Sequence, residues 1–141
     1  MLKKICGLYL FAVAVLVAVH TVVEPLYHAS GPGQPYSPFW TIVNPLTALA
    51  IVLGAVFSYA RKAGAGGEVV TREFLVANTL FYGFLFVGIM FFWNWFNLMS
   101  PAFTAIGDDT VSLVWIVVDA GVPLLAGATG VHLLRSDAEG G

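Results

Sequence analysis

Apolar residues dominate four stretches of the chain, at about 5–23, 39–59, 74–99 and 111–134, and polar residues collect between them. An α-helix needs about 20 predominantly apolar residues to cross the hydrocarbon core of a bilayer, and each stretch meets that length. The pattern predicts an all-α fold: one integral membrane four-helix bundle spanning residues 1–141, with four transmembrane helices and no soluble domain. The longest connection, 24–38, holds four prolines and two glycines. It predicts an ordered external loop that stays helical only briefly past Pro25. The segment from Arg61 to Gly67 reads as a flexible linker.

Composition supports the membrane reading. The chain has 141 residues, 59% of them hydrophobic and only 10% charged, with a mean hydropathy of +0.87. Soluble domains carry about 25% charged residues, so much of this surface is expected to face lipid. The net charge of −2 and the lack of a basic run beyond Lys3-Lys4 exclude nucleic acid as a partner. Cys6, the single cysteine, forms no intrachain disulfide and fits no zinc motif. The end of the first span, Ala18 to Pro25, lacks the small residues of a signal cleavage site, so that span is expected to be retained.

Charge then gives direction. Lys3, Lys4, Arg61, Lys62, Arg72 and Arg135 all fall on one side of a four-crossing topology, while residues 24–38 and 100–110 contain no Lys or Arg. Basic residues accumulate in cytoplasmic segments. The expected localisation is therefore the cell membrane, multi-pass, with the N- and C-termini cytoplasmic. Trp40, Trp93, Trp95 and Trp115 fall near the opposite boundary, where indoles prefer the interface. Helix-start signals fit the same scheme: Ser37-Pro38 before the second span, Thr71 with Glu73 before the third, and Asp108, Asp109 and Thr110 before the fourth.

Polar residues inside apolar spans are costly and face a protein interior or a cavity. His20, Asn44, Asn94 and Asn97 lie roughly 2–8 Å below the outer boundary by helical rise, and Asp119 about 12 Å. All four helices thus contribute polar groups to the outer half of the bundle. They predict an outward-facing polar pocket around Asp119, with Asn44, Asn94, Asn97 and His20. Asp119 precedes Pro123 by four residues, and Asn44 precedes Pro45 directly. Each proline weakens its helix, and broken helices beside polar groups line binding sites in transporters. The alternative is that Asp119 hydrogen-bonds a neighbouring amide and only fixes packing.

Two further site readings rest on histidine. His20, Glu24 and His28 are spaced four apart, and on an unbroken helix they would share one face as metal ligands. Pro25 interrupts that run. His20 and His132 lie near opposite ends of their helices, about 25 Å apart along the membrane normal, so they cannot share a haem iron. The sequence names no cofactor.

No hydrolase, P-loop, CxxC or dinucleotide motif is present. The third span is dense in aromatics, and Phe84, Phe91 and Phe92 are expected to contact another polypeptide. The leading expectation is an accessory or structural subunit of a larger membrane complex, whose partners are the lipid bilayer and a larger membrane protein or a second copy of the chain. The rivals are ion or small polar ligand binding or transport in the Asp119 pocket, and a metal-dependent membrane enzyme using His20, Glu24 and His28.

Overall fold

The computed structural model describes residues 1–67, 69–100 and 107–139, and it is an all-α bundle of four helices. These are α1 (Leu2–Tyr27), α2 (Trp40–Gly64), α3 (Arg72–Met99) and α4 (Asp108–Glu139). All four are long and apolar enough to cross a membrane. With 25 to 32 residues each, a rise of 1.5 Å per residue gives lengths of about 38–48 Å. That exceeds the core thickness of about 30 Å, so each helix projects past the apolar stretch read from the sequence.

The helix ends have local causes. Thr71 caps α3, its hydroxyl accepting from the Phe74 amide at 3.1 Å. The Ser37-Pro38 cap is displaced. Phe39 holds the capping position of α2 without a side-chain bond, and the Ser37 hydroxyl accepts from the Phe39 amide at 3.2 Å. A turn with Trp40 N–H donating to the Ser37 carbonyl therefore precedes the helix. Asp108 and Asp109 lie inside the first turn of α4, where their charge still opposes the positive end of the dipole. Of the segment 100–110, expected from the sequence to face outward, residues 101–106 lie outside the described residues.

Pro25, Pro45 and Pro123 do not break their helices; each lies within a continuous helical segment. α1 runs two residues beyond Pro25, and the His28 amide closes its last turn on the Glu24 carbonyl at 2.9 Å. A helix proline nonetheless cannot donate to the carbonyl four residues earlier.

Among the described residues α1 packs along α4, α2 along α3, and α3 along α4, while the backbones of α1 and α3 sit diagonally across the bundle without close approach. The core is built from Leu10, Val13, Val17, Val43, Val118 and Val122, with Phe84 and Phe91 among its largest members. Those two rings are each 1% exposed, which corrects their assignment to a partner surface. Phe84 stands over Gly54, where a Cβ would lie 2.2 Å from the ring. Gly130 lets α4 meet α1, since a Cβ there would fall 2.8 Å from the Gly7 carbonyl oxygen. Tyr9 of α1 donates across the bundle to the Leu46 carbonyl at 2.7 Å.

The basic residues gather at one end. Lys3, Arg61, His132 and Ser136 line a common recess of about 260 Å³. Arg61 makes two bonds to Glu73, at 2.5 and 2.7 Å, that tie the end of α2 to the start of α3. Lys62 lies 4.5 Å from the Tyr82 ring centroid. Glu24, Asp108 and Asp109 belong to the opposite end.

Candidate functional site

The end opposite the basic residues opens into a cavity of about 910 Å³ between all four helices. α1 supplies Thr21 and Glu24, and α2 supplies Trp40, Thr41, Asn44 and Pro45. α3 adds Trp95, Leu98 and Met99; α4 adds Ser112, Trp115, Ile116 and Asp119. Positions 33–38 of the first loop complete the wall. On each helix the contributions recur at intervals of three or four residues, some as adjacent pairs such as Trp40-Thr41 and Asn44-Pro45, as one broad helix face requires.

The loop is pinned by hydrogen bonds. Gly31 and Gln34 exchange backbone bonds around a turn in which Gly33 has φ 85°, a conformation that glycine adopts without Cβ strain. Ser30 donates to the Pro35 carbonyl at 2.8 Å, and the Tyr36 and Ser112 hydroxyls meet at 2.9 Å, tethering the loop to α4. The Glu24 carboxylate accepts from the Ser37 amide at 2.6 Å and from the Trp40 indole N–H at 2.8 Å. Bonds to a charged acceptor are roughly twice as strong as neutral ones, so Glu24 is a principal fastening of the loop to α1.

Asp119 is half-buried and lines the cavity with Glu24 and Asn44. By helical rise it lies about 16 Å along α4 from Asp108. No described residue donates a hydrogen bond to its side chain. Among the described residues, the lining of the space the two carboxylates share contains no Lys, Arg or His.

The prolines sharpen this picture. Pro25, Pro45 and Pro123 each deprive a carbonyl four residues earlier of its helical donor: those of Thr21, Thr41 and Asp119. All three of these residues line the cavity. Each proline thus frees the carbonyl of a residue that belongs to the cavity wall. The wall's side-chain N–H donors without a described partner are the amides of Gln34 and Asn44 and the indole N–H groups of Trp95 and Trp115.

The other candidate residues are placed elsewhere. Asn94 is fully buried and bridges α3 to α4, its amide donating to the Val111 carbonyl at 3.1 Å. It does not reach Asp119. Asn97 turns its amide nitrogen into the interior and, like Asn94, does not line the cavity. His20 is 4% exposed, 3.0 Å from the Tyr27 hydroxyl and 4.5 Å from the Trp40 ring centroid. It forms the packed layer behind Trp40.

His20, Glu24 and His28 are not brought together as ligands. Each has a different partner, and His28 lies past the end of α1 with its Nε2 3.3 Å from the Gln34 carbonyl. Among the described residues no group of three His, Cys, Asp or Glu side chains could hold a metal ion. The sequence reading missed the loop contact of Tyr36, the carbonyls of Thr21 and Thr41, and Trp95 and Trp115 as cavity walls. The signal was present: Ser112, Trp115, Ile116 and Asp119 follow helical spacing, and the two carbonyls are found by counting back four from each proline.

Comparison with protein-family models, curated proteins and solved structures gives no match to this chain.

Proposed function

We propose that the chain is a multi-pass protein of the cell membrane that binds a small polar or ionic ligand in an outward-facing cavity. The observation that carries this reading is the 910 Å³ cavity with Glu24, Asn44 and Asp119 in its wall. Small-molecule sites usually measure about 300–1,000 Å³ and combine apolar walls with a few convergent polar groups. A carboxylate as deep as Asp119 is costly in an apolar span unless it serves a cavity.

Orientation follows from charge. The Lys/Arg end supports a cytoplasmic placement of both termini and of the α2–α3 linker, which puts the cavity on the outer face. Single cysteines at Ser30 and Ala65 in a Cys6→Ser background test this: Ser30→Cys reacts with an impermeant thiol reagent added outside, and Ala65→Cys does not. Native mass spectrometry from mild detergent tests the ligand. The protein is expected to carry a bound small molecule that Asp119→Asn sheds. Release of bare protein alone contradicts the reading.

A second reading, an accessory subunit of a larger membrane protein, is favoured by one face of α3. Tyr82, Phe86, Ile89, Trp93 and Phe96 are all exposed at helical spacings of three and four. A partner polypeptide retained in the same mass spectra, and lost on changing Phe86 and Trp93 to Ala, supports this reading.

A further inference from the structure

We infer that the ligand of the outer cavity is a primary ammonium compound with an apolar body. This inference rests on the cavity being a ligand site. Three independent features of the wall point to the same chemistry. The first is charge: Glu24 and Asp119 line the space and no cationic side chain does. An anionic ligand would sit against the Glu24 carboxylate and the acceptor oxygens of Asp119 in a partly desolvated site, where repulsion is strong. A cation supplies the missing charge.

The second feature is a carboxylate without a donor. Asp119 has no described donor to its carboxylate, and the carbonyls of Thr21, Thr41 and Asp119 lose their helical donors to Pro25, Pro45 and Pro123. A carboxylate in a partly desolvated site gains most from a charged donor, whose bonds are roughly twice as strong as neutral ones. A primary ammonium carries three N–H donors on one charged atom; a quaternary ammonium carries none.

The third feature is the apolar remainder. Trp40, Trp95 and Trp115 line the cavity together with Leu98, Met99 and Ile116. A bare metal ion fills a small fraction of about 910 Å³ and leaves these walls without a partner. An aryl or alkyl body covers them, and indole rings attract a neighbouring cation through their negative faces. The ammonium head lies toward Asp119 and Glu24, with the body among the tryptophans.

The test uses the full chain in detergent and four probes of similar size, with binding followed by isothermal titration calorimetry. The probes are phenethylammonium, 2-phenylethanol, phenylacetate and benzyltrimethylammonium, and calcium chloride is titrated separately as the metal control. Phenethylammonium is expected to bind saturably, at least about tenfold more tightly than the neutral alcohol, because removing one partner of a buried charge pair costs this much or more. Asp119→Asn, which keeps the side-chain shape, is expected to erase that preference while leaving thermal unfolding in place. Trp95→Phe provides a second variant, expected to weaken phenethylammonium severalfold and retain the preference.

Equal binding of the alcohol and the ammonium overturns the inference but leaves the cavity reading standing, as does preferred binding of phenylacetate. Tighter binding of benzyltrimethylammonium removes the role of the N–H donors and also overturns it. Tighter binding of calcium than of phenethylammonium assigns the oxygens to a metal and overturns it. No binding of any probe, with Asn44→Cys closed to water-soluble thiol reagents, contradicts the cavity reading itself.

Discussion

Gly54→Ala probes the closest approach in the core. A Cβ at position 54 would lie 2.2, 2.3 and 2.8 Å from three ring atoms of Phe84. Carbon atoms rest about 3.5–4.0 Å apart, so the ring must withdraw by more than about 1 Å. It has little room, being 1% exposed. Overpacking of this kind costs about 1–3 kcal/mol. In a bilayer, helices associate largely through such packing, since lipid is as apolar as the interior; no compensating hydrophobic gain is available from a larger side chain. Reversible unfolding by SDS in mixed micelles reads the cost. Phe84→Leu frees the space, so the double variant should be more stable than the sum of the single losses by about 1–2 kcal/mol. A Gly54→Ala protein within about 0.5 kcal/mol of the parent, or single effects that simply add, would refute the reasoning.

Gly130→Ala forces α4 away from α1, because its Cβ would meet the Gly7 carbonyl oxygen and the Phe11 amide nitrogen at 2.8 and 2.9 Å. A loss of at least about 1 kcal/mol in the same assay is expected. Tyr9→Phe removes the bond to the Leu46 carbonyl and should cost about 0.6 kcal/mol, typical of interhelical bonds in membranes. Glu24→Ala leaves the Ser37 amide and Trp40 indole without their acceptor. It is expected to raise hydrogen exchange across residues 29–38 while leaving α3 protected. Arg61→Ala breaks an exposed pair whose Glu73 side chain is 52% accessible, and a change under about 1 kcal/mol is expected from unfolding measurements.

The helices were legible because span length and apolar content are properties of single segments. Thr71 was readable as a cap for the same reason: its bond to the Phe74 amide is local. Contacts between segments were less accessible. Phe84 and Phe91 lie on a helix with aromatics on every side, and only the positions of α2 and α4 decide which rings turn inward. Asn94 resembles Asn44 in the sequence, yet one bridges α3 to α4 and the other faces the cavity. The difference is rotation about the helix axis, which apolar periodicity fixes poorly when every face is apolar. Glu24 was read with histidines on its own helix, whereas its partners are Ser37 and Trp40, which the loop folds back onto it. Asp119 was legible as a site residue through depth and charge, while the carbonyls of Thr21 and Thr41 required each proline to be counted back four positions.

The central claim, a water-accessible cavity on the outer face, is tested most directly at three consecutive positions of α2. Ile42 is 59% exposed on the outer surface of the bundle and Val43 is fully buried, while Asn44 lines the cavity. Single cysteines at each position, in a Cys6→Ser background in sealed right-side-out vesicles, are treated with a charged, membrane-impermeant thiosulfonate reagent. Rapid modification of Asn44→Cys alone is expected, since in a membrane lipid would shield position 42 and packing shields position 43. Equal reactivity at 42 and 44, or none at 44, would contradict the claim.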